Sequence, residues 1–124
     1  MNKPCGSEMI LDIHSCDINT MSRESLENFF VELCKVIDME RTELHIWEYL
    51  EDNNKDPEEF QHLKGLSAVQ FIKTSSIVVH TFDNLNKVSI NLFSCKDFNP
   101  KEAQTFCVDY FKGECIQAVN ITRY

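Results

Sequence analysis

Glycine is scarce in this chain: Gly6, Gly65 and Gly113 are the only three in 124 residues, and no two lie near each other. A loop that cradles phosphates needs several glycines close to a helix start, so the dinucleotide-binding and P-loop patterns are both excluded. Cations are outnumbered, 12 Lys and Arg against 20 Asp and Glu, leaving a net charge of -8. Nucleic-acid binding rests on clustered cations, so that class of partner is set aside. No apolar run approaches the ~20 residues that cross a bilayer. Met1-Asn2-Lys3-Pro4 does not lead into the apolar stretch of a secretion signal. The expectation is a cytoplasmic protein with no membrane partner. The six cysteines include no Cys-x-x-Cys pair, so zinc and dithiol spacings are missing and no metal site is expected. Without a secretion signal, an even cysteine count does not imply disulfides.

What is present suits one domain spanning residues 1–124. Hydrophobic residues make up 43% and charged residues 26%, enough of each for one modest core with a solvated surface. Met9 to His14 alternates as a strand does. Ser22 is a helix N-cap, and Leu26, Phe29, Phe30, Leu33, Val36 and Ile37 recur at helical spacing as far as Asp38. Thr42 to Tyr49 reads as a strand with Leu44 and Ile46 facing away from His45 and Trp47. The acidic stretch 48–62, with Glu48, Glu51, Asp52, Asp56, Glu58, Glu59 and Pro57, reads as a surface insertion with room for one helical turn. Ser67 to Ile72, Ser76 to Phe82 and Lys87 to Phe93 read as three successive strands, the last two joined through Asp83-Asn84-Leu85-Asn86. Asn99 and Pro100 open a second helix, Ala103, Phe106, Cys107 and Tyr110 form its buried face, and Gly113 ends it. Glu114 to Thr122 closes the chain as a strand. The order β-α-β-β-β-β-α-β predicts an α+β two-layer sandwich: a mainly antiparallel sheet covered on one face by two helices.

Chemistry concentrates in Thr74-Ser75-Ser76-Ile77-Val78-Val79-His80-Thr81 and Phe93-Ser94-Cys95. Ser75 offers a hydroxyl able to attack its own backbone, His80 a proton acceptor and Cys95 a thiol proton donor. Cys95 precedes Lys96-Asp97 and is the cysteine best placed to face a cleft, whereas Cys34 and Cys107 fall on apolar helix faces as small buried hydrophobes. Taken singly, each residue has a plainer reading: a serine pair opening a strand, a satisfied core histidine, a packed thiol. A spacing of five puts Ser75 and His80 on opposite faces of a straight strand. Ser76, Val78 and His80 form the competing same-face set, so Ser76 is the alternative reactive serine.

In order and spacing these residues resemble the prokaryotic S-adenosylmethionine decarboxylase proenzyme family. That family carries a serine, four intervening residues, His-Thr, and then a strand ending Phe-Thr/Ser-Cys. The strand Ile10 to Cys16-Asp17 and the small-residue entry Gly65-Leu66-Ser67-Ala68 are similar to family segments too, so the resemblance runs over nearly the whole chain. It implies self-cleavage between Thr74 and Ser75 into chains 1–74 and 75–124. Ser75 Oγ would attack the Thr74 carbonyl, elimination from the resulting ester would release the N-terminal piece, and the new N-terminus, once its nitrogen is lost to water as ammonia, would become a pyruvoyl group, the covalent cofactor. Its carbonyl would form a Schiff base with the substrate amine and serve as the electron sink for decarboxylation. His80 would take the Cα proton, helped by Ser67. Cys95, a thiol, would return a proton after carbon dioxide leaves. The implied substrate is S-adenosylmethionine, the implied setting spermidine and polyamine synthesis, and the implied assembly a homodimer of cleaved protomers.

The chain departs from the family at three points. Thr74 stands where a glutamate precedes the reactive serine, and Ser76 where a histidine follows it. Phe82-Asp83-Asn84 replaces Trp-Pro-Glu, putting Asn84 where the family glutamate is expected to hold ribose hydroxyls, with Asp83 as its only neighbouring carboxylate. Trp47, in a strand similar to the family's Phe-His-x-Phe, is the candidate ring for stacking on adenine, against the plainer reading of a core tryptophan. Two alternatives follow: the same pyruvoyl chemistry on ornithine or arginine, and an uncleaved binding protein without catalysis.

Overall fold

A computed structural model describes residues 2–50 and 56–124; the Glu51 and Asp52 part of the acidic insertion lies outside the described residues. The elements run β1 (Gly6–His14), α1 (Arg23–Val36), β2 (Arg41–Glu48), α2 (Pro57–Leu63), β3 (Leu66–Ile72), β4 (Ser75–Phe82), β5 (Lys87–Ser94), α3 (Pro100–Phe111) and β6 (Glu114–Arg123). The strands form one antiparallel sheet in the order β2-β3-β4-β5-β1-β6. With α1 and α3 on one face, this is the expected two-layer α+β sandwich. The addition is α2, a short helix capped by Asp56 and opened by Pro57.

Strand alternation sorts the residues into two faces. Met9, Leu11 and Ile13 of β1, Ile77 and Val79 of β4, and Val88, Ile90 and Leu92 of β5 turn toward the helices and are buried. Leu26, Phe29, Phe30 and Leu33 of α1 meet them from above, with Ala103, Cys107 and Phe111 of α3. Phe29 centres this layer, its ring 4.8 Å from Phe111 and 5.2 Å from Tyr110. The Tyr110 hydroxyl donates to the Ser25 carbonyl at 2.6 Å, tying the two helices together at a polar point. Burial pushes the Cys16 and Cys34 thiols up to about 11, and Cys107 further still. These three are packing residues. Cys5 and Cys95 are exposed.

Gln70 breaks the apolar pattern of β3, being fully buried on the helix side. The β2–β3 register shifts between Arg41 and Leu44. Gln70 fills the irregularity: its amide donates to the carbonyls of Thr42, Glu43 and Phe71, and its carbonyl accepts from Arg41. A buried amide satisfied in this way costs little.

The left-handed residue that ends α3 is Lys112, at φ 53°, and not Gly113. Gly113 is needed for space: a Cβ there would lie 2.6 Å from Ile13 Cγ2 and 2.7 Å from the His14 carbonyl oxygen. Gly65 is tighter. A Cβ would stand 1.9 Å from the Thr81 carbonyl oxygen, where β3 begins beside β4. The next residue, Leu66, donates its N–H to Thr81 Oγ1 at 2.8 Å, which fixes the approach. Gly65→Ala must separate two backbones, and we expect it to cost about 3 kcal/mol, the upper range of overpacking. A fall in the denaturant midpoint without a change in slope measures this; an unchanged midpoint refutes it.

Candidate active site

The sheet face away from the helices carries a polar row. Register places Trp47, Ser67, His80, Ser89 and Asp12 side by side across β2, β3, β4, β5 and β1. Ser67 Oγ and His80 Nδ1 lie 2.8 Å apart. A hydroxyl on one ring nitrogen fixes the imidazole's orientation and leaves Nε2 for other work. His80 lines two adjoining cavities. One, of about 440 Å³, is shared with Asp12, Ser89, Asn91, Ile10 and Val78. The other, of about 370 Å³, is shared with Ser67, Trp47, His45 and Val69. His80 is therefore an exposed, hydrogen-bonded histidine on an open face and not a core residue.

Ser75 lies elsewhere. β3 and β4 are joined by Lys73-Thr74, and Thr74 sits at φ 60° in the left-handed region. A β-branched residue there is strained by roughly 1–3 kcal/mol. Ser75 follows as the first residue of β4, buried on the helix side. Its hydroxyl donates to Ser94 Oγ at 2.9 Å. A cavity of about 270 Å³, lined by Met39, Glu40, Lys73, Thr74 and Lys96, opens beside it. Ser94 pairs with Ser75 in register, so Cys95, exposed and just beyond Ser94, comes to the same end of the sheet.

One chain thus carries two separate groups. Ser67 and His80 are together. Ser75 and Cys95 share the Thr74 end. The two groups are not brought into one cavity: Ser75 and His80 occupy opposite faces, five residues and about 16 Å apart along β4. Ser76 shares the His80 face but sits between Phe71 and Phe93, two alternations away.

Trp47, Asp83 and Asn84, expected from the sequence on the substrate side, are arranged in a way the sequence did not reveal. Trp47 is 54% exposed, so it is not a core tryptophan. Its ring stands edge-on to Tyr49 at 5.6 Å, and Tyr49 stacks on Phe60 of α2 at 6.0 Å. Asn84 is committed: its amide donates to the Gln61 carbonyl at 2.9 Å and to Gln61 Oε1 at 2.8 Å. Asp83 accepts from Thr81 Oγ1 at 3.3 Å. Burial raises its carboxyl above the ordinary range, against the opposing pull of the Thr81 hydroxyl and Lys64. Asp12 and Ser89 were missed as cavity residues, although the β1 alternation that buries Leu11 and Ile13 already turns Asp12 to the open face. Among the described residues no three His, Cys, Asp or Glu side chains are grouped to hold a metal ion.

Residues 7–124 match the family described as S-adenosylmethionine decarboxylase. Two proteins named S-adenosylmethionine decarboxylase proenzyme, from Thermoanaerobacter sp. (strain X514) and Thermoanaerobacter pseudethanolicus, are each 24% identical over 120 residues, covering 95% of this chain and 87% of their own. The crystal structure of the adenosylmethionine decarboxylase from Aquifex aeolicus superposes with a TM-score of 0.73 at 13% identity, covering 98% of this chain and 91% of that one, a likeness of fold. With the match running from β1 to the last residue, the chain belongs to the S-adenosylmethionine decarboxylase family of carboxy-lyases.

Proposed function

We propose that the chain is a self-cleaving proenzyme, cut between Thr74 and Ser75, whose mature form decarboxylates S-adenosylmethionine for polyamine synthesis. The observation that carries this is the Thr74–Ser75 bond itself. It combines a strained left-handed residue, a serine hydroxyl held by one partner, and an exposed thiol at the same sheet end. Strain in the peptide is relieved when the chain is cut, which favours moving the Thr74 acyl group from nitrogen to oxygen. The Thermoanaerobacter relatives being named proenzymes supports the same reading.

A pyruvoyl group derived from Ser75 fits these residues, since Ser75 becomes a chain start beside an open cavity once the bond is cut. When formed, that group supplies an electron-withdrawing carbonyl for decarboxylation. Cys95 is the neighbouring proton source, and His80, with its free ring nitrogen, the base that takes the Ser75 Cα proton during maturation. In one chain His80 is too far from Ser75 to do so. The proposal therefore includes a homodimer in which the open sheet face of one copy meets that of another. The exposed Phe71 and Trp47 and the partly exposed Val78, Ile10 and Phe93 on this face support it.

Intact-mass measurement of purified protein is the test. Two fragments, 1–74 and 75–124, are expected in place of one 14.5 kDa chain. A single chain after long incubation at high concentration overturns the reading and leaves the uncleaved binding protein in its place. A second substrate reading has its own support: Asn84, where the family glutamate stands, spends its amide on Gln61 and offers no carboxylate to a ribose. Carbon dioxide release from S-adenosylmethionine, set against ornithine and arginine, decides between the two.

A further inference from the structure

We propose that Ser94 is a positioning residue for self-cleavage, holding the Ser75 hydroxyl so that its proton points away from the Thr74 carbonyl and its lone pairs are free to attack. The inference rests on the reading of Ser75 as the cleavage serine and adds the group that prepares it.

The argument is a count of donors and acceptors. A serine hydroxyl has one proton to give and two lone pairs to fill. Ser94 Oγ is fully buried at the end of β5, so its partners are protein groups. Its proton has two acceptors in reach, the Lys96 carbonyl oxygen at 2.8 Å and Met39 Sδ at 3.6 Å. The carbonyl is both nearer and the stronger acceptor. The Lys96 N–H donates back to Ser94 Oγ at 2.9 Å. One acceptor position then remains, and Ser75 Oγ lies 2.9 Å away. With the Ser94 proton already given, the shared bond must run from Ser75 to Ser94. The Ser75 proton is thereby fixed on the Ser94 side, and neither Ser75 lone pair is used in that bond.

Cleavage needs that state. In the first step a bond forms from Ser75 Oγ to the Thr74 carbonyl carbon, the bond from that carbon to the Ser75 nitrogen breaks, and the proton leaves the oxygen and ends on the nitrogen. No electrons or atoms are gained or lost. A freely rotating hydroxyl would spend part of its time with its proton toward the carbonyl. Ser94 removes that fraction, and it can do so because the Ser94-Cys95-Lys96 turn closes on its own hydroxyl. Cys95 is the middle residue of the same turn. Ser76 has no counterpart: it faces the open side between Phe71 and Phe93.

The test is the rate of self-cleavage, followed by intact mass across a range of pH, in the full chain. Ser94→Ala is expected to slow cleavage about tenfold, near the upper rate equivalent of one hydrogen bond. Ser94→Thr, which keeps the hydroxyl, should recover to within a few-fold of the parent. Ser94→Val has the shape of threonine without the hydroxyl and should remain slow. The Thr/Val pair separates the hydroxyl from packing even if the alanine variant folds poorly. Wild-type rates in Ser94→Ala, or equal slowing in the Thr and Val variants, overturn the inference. If the parent itself never cleaves, the failure belongs to the proenzyme reading and not to Ser94.

Discussion

Ser75→Ala is expected to leave the chain whole: one 14.5 kDa species at every time and concentration, where the parent is expected to yield fragments 1–74 and 75–124. The effect is total because the ester that precedes cleavage is made on Ser75 Oγ, and alanine has no atom to make it. Loss of folding does not explain such a result. The substitution removes about one hydrogen bond, to Ser94, at a cost of about 1 kcal/mol, against the 5–15 kcal/mol that stabilises a typical domain. A melting curve close to the parent's is part of the prediction. Ser76→Ala should cleave normally, since Ser76 lies on the other face. The reverse pattern, an intact Ser76→Ala and a cleaved Ser75→Ala, would transfer the reaction to Ser76.

His80→Ala has the next largest expected effect, slowing release of the fragments about 10²–10⁴-fold, the usual contribution of a positioned base. Its signature differs from that of Ser75→Ala. The acyl shift does not need His80, so the variant should accumulate the ester, and hydroxylamine should then split the chain after Thr74. A Ser75→Ala chain has no ester and should resist hydroxylamine. Ser67→Ala should produce a milder form of the His80 defect, since it removes the 2.8 Å partner that orients the ring without removing the ring. Parent-like kinetics in His80→Ala would end its assignment as the base.

Strand alternation made most of the fold legible in the sequence. Met9, Leu11 and Ile13, or Ile77 and Val79, can be assigned to the core because a two-residue period has one buried phase. The same arithmetic put Ser75 and His80 on opposite faces, and they are found there. Other features depended on distant pairings. Gln70 is buried because β2, 27 residues away at Glu43, slips against β3, and no local pattern signals that. Asn84 looked like a plain substitution; its bonds to Gln61 depend on where α2 lands. Gly113 read as a helix terminator, whereas its neighbour Lys112 takes the left-handed conformation and the glycine makes room for β1. In the site, residue types and order were visible and the partners were not. Ser94 stood in the Phe93-Ser94-Cys95 motif without a role until its contacts with Ser75, Met39 and Lys96 could be counted.

The separation of Ser75 from His80 by the thickness of a sheet also bears on timing. A nucleophile and base on one face would make maturation unimolecular, starting as soon as each chain folds. On opposite faces, with the base supplied by another copy as proposed, maturation would require two newly made chains to meet. A dilute pool would then stay dormant, a crowded one would convert, and the delay between synthesis and activity would shorten as the protein accumulates. On that reading the protein would register its own abundance before it acts, through the odd number of peptide bonds between two residues of β4.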